Sequence, residues 1–199
     1  MKAAGTTRTS YTYGTRPFAL FAECILTGVW FTVAALPLVT IPAALAASSR
    51  HLAGFLDGTS SSLGDFVRDC RSAWRGGWIV GLAAVGAALA LGLNLALLTI
   101  EGVPGRSWTA LLTMAIAATA ASVLLRAATA WGPGASWKAL FAGAADEAKE
   151  DFSGTGILLG GLLVLVVSTW ALWILFVPMS GCVIGAALAV RRRRANTPS

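Results

Sequence analysis

Apolar side chains run along this chain in four long blocks separated by shorter polar stretches. The first block extends from Phe18 to about Ala47 and contains Pro37 and Pro42. The second is Trp78 to Ile100. The third is Trp108 to Trp131, with Arg126 near its end, and the fourth is Ile157 to Val190, interrupted by Pro178. A helix needs roughly 20 apolar residues, rising ~1.5 Å each, to cross a hydrocarbon layer of about 30 Å. The second and third blocks fit one crossing each. The first and fourth are too long for one straight crossing. Pro37, Pro42 and Pro178 are therefore expected to kink them, because proline removes a backbone donor. A further crossing between Val39 and Leu56 would carry Arg50 and His51 into the bilayer, which counts against it.

The polar stretches are of two kinds. Glu101 to Ser107 is a short turn, which makes the second and third helices antiparallel neighbours. The other two have helical periodicity. In the first, Leu63, Phe66, Val67, Cys70, Ala73 and Trp74 share one face, and Asp65, Arg68, Asp69, Arg71 and Arg75 occupy the other. Ser62 and Asp65 have the spacing of a capping box, with Asp in place of the usual Glu or Gln. In the second, Trp137, Leu140, Phe141, Ala144, Ala145, Ala148 and Phe152 form a stripe opposite Lys138, Asp146, Glu147, Lys149 and Glu150. Both read as amphipathic helices that lie in the membrane interface or dock on a partner.

The expected fold is all-α: a polytopic membrane helical bundle of about four transmembrane helices with two amphipathic interfacial connector helices. It forms one integral membrane domain, residues 1–199. Within it, 1–17 is a polar tail, 18–47, 78–100, 108–131 and 157–190 are membrane helices, and 191–199 is a basic tail. Each connector leads into a GxxxG step, Gly77 with Gly81 and Gly156 with Gly160, which lets helix backbones approach closely in lipid. The recurring order of span, connector and GxxxG span reads as a weak internal repeat about an axis along the membrane normal.

Composition agrees. Only 12% of residues are charged and 56% are apolar, against roughly 25% and 45–50% in soluble domains. Too few polar side chains exist to cover a water-facing surface, so lipid is the expected partner. The formal charge of +6 does not point to nucleic acid. Arg191 to Arg194 form one block directly after an apolar run, the usual cytoplasmic flank of a span, and no aromatics interleave with them. Cys24, Cys70 and Cys182 are scattered, with no CxxC pair, and read as small buried residues. The first apolar block is too long for a cleavable signal and contains Pro37. Four crossings would put both termini on one side and both connectors on the other. Lysines and arginines then divide nearly evenly. The terminal arginine block abuts a span and decides for cytoplasmic termini in a multi-pass cell-membrane protein.

Catalytic chemistry is not expected. The lone histidine, His51, reads as a polar flank beside Arg50, and no second histidine or Cys/His spacing offers a metal site. There is no GxSxG serine and no phosphate-binding GxxxxGK[ST] loop, so no cofactor is implied. The candidates that remain are polar groups inside apolar runs, because their burial in lipid is costly. Glu23 and Asn94 fall toward the tail side, where they could meet. Arg126 falls toward the connector side, where it can pair with Asp146 or Glu147, or snorkel ~7–8 Å to the helix end. The remaining tryptophans, Trp30, Trp78, Trp108, Trp131, Trp137, Trp170 and Trp173, read as interfacial anchors or packing residues.

Trp30, Leu36-Pro37, Thr40, Pro42-Ala43 and Ala46-Ala47 resemble the signature of the YesL-like membrane proteins, a bacterial family of unknown function. Phe66 and the segment Arg71 to Trp78 are also similar to that family's pattern; together the likeness covers residues 20–80. It departs at Thr27, where the family pattern has Asn. Members are often encoded beside carbohydrate ABC importers. The resemblance thus implies a non-enzymatic accessory component associated with ABC transporter subunits, and it carries over no catalytic residue. The alternatives are a small transporter or channel with a path near Glu23, Asn94 and Arg126, or a structural or assembly membrane protein.

Overall fold

A computed structural model of the chain describes residues 17–59, 62–100 and 105–196. Residues 1–16, 60–61, 101–104 and 197–199 lie outside the described residues. Among the described residues every regular element is helical: α1 (Pro17–Ala35), α2 (Ile41–Leu56), α3 (Leu63–Leu97), α4 (Arg106–Ala130), α5 (Trp137–Glu150), α6 (Phe152–Ala171), a 3-10 turn (Trp173–Leu175) and α7 (Phe176–Ala195). Five segments are long and apolar enough to cross a membrane: α1, α3, α4, α6 and Trp173–Ala195. The all-α membrane bundle is borne out, with one long apolar helix more than the four expected.

The extra span arises because the fourth apolar block breaks into two long helices; the first block breaks as well, into α1 and the shorter α2, in both cases where kinks were expected. α1 ends at Ala35, and the chain reverses before α2 begins. Leu38 adopts φ 56°, a left-handed conformation that costs roughly 1–2 kcal/mol for a residue with a Cβ. The Thr40 hydroxyl donates to the Ala34 carbonyl at 2.5 Å and closes the turn. Pro37 lies in this turn and Pro42 in the first turn of α2. In the fourth block, Leu172 is extended, a 3-10 turn follows, and Pro178 lies in the first turn of α7. The first N–H groups of a helix have no intrahelical partner, so a proline there forfeits no hydrogen bond. These prolines mark turns and helix starts rather than kinks.

α2 lies where Arg50 and His51 argued against a crossing, and with 16 residues it is not among the five long apolar segments. Its 16 residues span ~24 Å, and it returns antiparallel to α1 through the middle of the bundle. Ala43, Ala44, Ala46 and Ala47 are buried, their small side chains permitting close approach on several sides. A helix enclosed by protein does not have to match lipid, so a short one with polar residues is tolerated there. Both polar residues find partners: Arg50 pairs with Asp69 at 2.9 Å and His51 with Glu23 at 2.7 Å.

This return corrects the two-sided arrangement. Arg192 reaches Asp57 after α2 at 2.8 Å, Arg193 reaches Asp151 between α5 and α6 at 3.1 Å, and Arg194 pairs with Glu150. Both connectors therefore lie at the same end of the bundle as the start of α1 and the end of α7. The near-even division of basic residues disappears: among the described residues only Arg106, at the start of α4, lies at the opposite end. There Trp108, Trp170 and Trp173 are largely exposed. Trp108 stands about 27 Å along α4 from Arg126, at ~1.5 Å per residue, which matches an aromatic belt across one hydrocarbon layer.

Glycine packing also differs from the expected pattern. A Cβ on Gly81 would fall 1.9 Å from the Val39 carbonyl oxygen, and one on Gly77 would fall 2.8 Å from the Trp137 indole nitrogen. Gly156 and Gly160 have open space around them. The first connector is continuous with its span in α3, capped by Ser62 and Asp65 as expected, whereas the second is the separate helix α5. The two halves therefore do not pack as repeats. The tightest crossing joins α1 to α7: a Cβ on Gly28 would lie 2.0 Å from the Val177 oxygen and one on Gly181 1.8 Å from the Cys24 oxygen.

Candidate functional site

The polar groups of the bundle collect in three places. The first is the α1–α2 interface near the basic end. Glu23, Thr27 and Trp30 follow a spacing of four and three and so share a face of α1; Ser48 and His51 share one of α2. His51 is not a polar flank but a buried group, 5% exposed, with its ring centroid 4.3 Å from that of Trp30. Trp30 in turn lies 5.2 Å from Phe66 of α3. Thr27 and Ser48 are fully buried, and neither hydroxyl has a hydrogen-bond partner among the described residues. Thr27, where the resemblance is broken, thus faces this polar core.

His51 also lines an open cavity of about 190 Å³ between the end of α2 and the start of α3, with Arg50, Asp65, Phe66, Arg68 and Asp69. Arg50 pairs with Asp69 and lies 5.9 Å over the Trp131 ring, while Arg68 pairs with Asp65. The charged rim is thus neutralised in pairs. His51 thus links the Glu23 carboxylate to the wall of this cleft.

The second place is Arg126. Its side chain is 4% exposed and turns inward, so it does not snorkel. Its guanidinium lies 3.7 Å from the expected partner Glu147 and donates to Thr155 at 3.1 Å and to the Asp151 carboxylate at 3.3 Å. Asp151 was not among the expected partners. It precedes Gly154 by three residues at the start of an apolar run, the spacing of a helix cap, and that signal could have found it. Its carboxylate accepts the Gly154 N–H at 2.8 Å and pairs with Arg193, joining α4, α6 and α7.

The Gly154 N–H, with the hydrogen bond and charge of Arg126 and the charge of Arg193, holds the Asp151 carboxyl below its ordinary value of 3.8. A depressed folded-state value means that this stabilisation is complete above the ordinary value and is lost as pH falls through the depressed one. Thermal stability in detergent is therefore expected to drop as pH falls from about 5 into the acid range. Asp151→Asn should flatten that part of the profile; an unchanged acid limb would exclude Asp151 as its source.

The third place is Asn94 on the outer half of α3. Its amide oxygen accepts from Thr113 of α4 at 2.9 Å, which confirms the antiparallel α3–α4 pairing. Asn94 does not meet Glu23, whose partner is His51. Glu23, Asn94 and Arg126 thus belong to separate sites. Among the described residues no group of three or more His, Cys, Asp and Glu side chains could hold a metal ion. Comparison of the chain with protein-family models, curated proteins and solved structures gives no match.

Proposed function

We propose that the chain is a non-enzymatic accessory protein of the cell membrane that assists a carbohydrate ABC importer through contacts of its helices, with the basic end in the cytoplasm. The observation that carries the non-transporting part of this reading is the separation of Glu23, Asn94 and Arg126, each engaged by its own partner. A solute path would need polar groups facing a common space. The orientation is supported by the gathering of basic residues at one end, since Lys and Arg concentrate on the cytoplasmic side of membrane proteins. The importer is supported by the resemblance in α1 and α2. Pro42, Ala43, Ala46 and Ala47, which carry much of it, are buried against neighbouring helices, so the signature marks the centre of the bundle.

Purification from native membranes in mild detergent, at native expression, is expected to bring down importer membrane subunits. Recovery of the chain alone would count against the accessory role. Proteoliposomes containing only this protein should show no more sugar flux than protein-free vesicles. Flux that is present, and abolished by Glu23→Gln or Arg126→Ala, would favour a small transporter instead.

A further inference from the structure

We propose that the α3 stripe Arg71, Trp74, Arg75 and Trp78 binds the headgroups of anionic phospholipids. The four positions follow i, i+3, i+4 and i+7, so the tryptophans, at the edge of the apolar face, lie beside the arginines at the adjoining edge of the polar one. All four are exposed. The residues that α3 buries, Phe66, Ala73, Gly77 and Gly81, form a neighbouring stripe. Docking of α3 on the bundle therefore leaves the arginine–tryptophan stripe facing outward.

Charge decides the occupant. At the basic end, Arg50, Arg68, Arg126, Arg192, Arg193 and Arg194 each have a carboxylate partner. Arg191 donates to the Thr129 carbonyl. Among the described residues Arg71 and Arg75 pair with no carboxylate, and the acids of the same helix are engaged elsewhere, Asp65 by Arg68 and Asp69 by Arg50. The stripe thus alternates two uncompensated guanidiniums with two indoles. A guanidinium donates in a fork that matches phosphate oxygens, and indoles settle at the hydrocarbon boundary. A zwitterionic headgroup brings its own ammonium and gains less.

Depth points the same way. The apolar run Trp78–Leu97 of α3 covers about 30 Å, the hydrocarbon thickness, and the headgroup layer adds roughly 5–7 Å on each side. Along the helix axis Arg75 lies ~4.5 Å and Arg71 ~10 Å beyond Trp78, so the pair brackets the phosphate layer. The inference needs α3 to cross a bilayer and is independent of which protein the chain assists.

The test is a titration of the full chain in neutral maltoside micelles with short-chain phosphatidylglycerol or phosphatidylcholine. Bound lipid is counted by native mass spectrometry, and indole fluorescence is followed in parallel. Phosphatidylglycerol is expected to bind more tightly, and added salt to weaken it. Arg71→Gln and Arg75→Gln should each weaken it about fivefold and leave phosphatidylcholine unchanged, while the double lysine variant keeps most of the preference. A wild-type protein with no preference between the two lipids overturns the proposal. So does a folded double glutamine variant that binds phosphatidylglycerol as wild type does. Should that variant not fold, the wild-type preference and its salt dependence decide.

Discussion

Gly181→Ala is expected to destabilise the protein by about 2–3 kcal/mol, the upper range for forcing an extra group into a closed contact. The methyl would fall 1.8 Å from the Cys24 carbonyl oxygen, and backbone cannot move aside as a flexible side-chain end can. α1 and α7 would have to separate along a crossing whose glycines, Gly28 and Gly181, already bring their backbones together. Gly28→Ala, 2.0 Å from the Val177 oxygen, should behave alike, and the two changes should not add, because one displacement relieves both. Gly156→Ala and Gly160→Ala meet nothing and should stay within about 0.5 kcal/mol of wild type. Unfolding in mixed micelles distinguishes the two pairs. Equal effects at all four positions would contradict the α1–α7 contact.

Asp151→Ala is expected to destabilise the protein by about 2–3 kcal/mol, below the roughly 3–5 kcal/mol for a fully buried ion pair, because Arg126 is buried but Asp151 only partly so. Arg126 is left inside the bundle with Glu147 at 3.7 Å as its remaining carboxylate. The alanine also removes the cap on α6, worth ~1 kcal/mol, whereas Asp151→Asn keeps a capping side chain and loses only the charge. Arg193→Ala removes the half-exposed partner of the same carboxylate and should change stability by less than about 1 kcal/mol. The expected order is therefore Asp151→Ala, then Asp151→Asn, then Arg193→Ala. A result in which Arg193→Ala matched Asp151→Ala would show that the buried Arg126 pair contributes little.

Some of the site was legible beforehand. One of the expected partners of Arg126, Asp146 or Glu147, is the one it reaches, and Ser62 and Asp65 cap α3 as expected, because both pairs are close along the chain or across one connector. The Glu23–His51 contact was not foreseen. It requires α2 to fold back on α1, and that reversal rests on a left-handed Leu38 and a hydroxyl contact from Thr40, neither of which periodicity reveals. The Gly28–Gly181 contact is not legible in the sequence for a similar reason. The neighbours of these glycines are as apolar as those of Gly156 and Gly160, and a glycine's value depends on what lies opposite.

Side-chain composition along the chain is enough to specify a bundle of apolar helices for a membrane, since transfer of a segment into lipid depends on the sum of its own side chains. Tertiary structure alone decided how often the chain turns back, that both connectors share the arginine end, and which small residues meet. Those outcomes depend on pairs of surfaces: a carbonyl lying against a glycine, a carboxylate reaching an arginine from another helix. Hydropathy, summed one segment at a time, carries no record of such pairs.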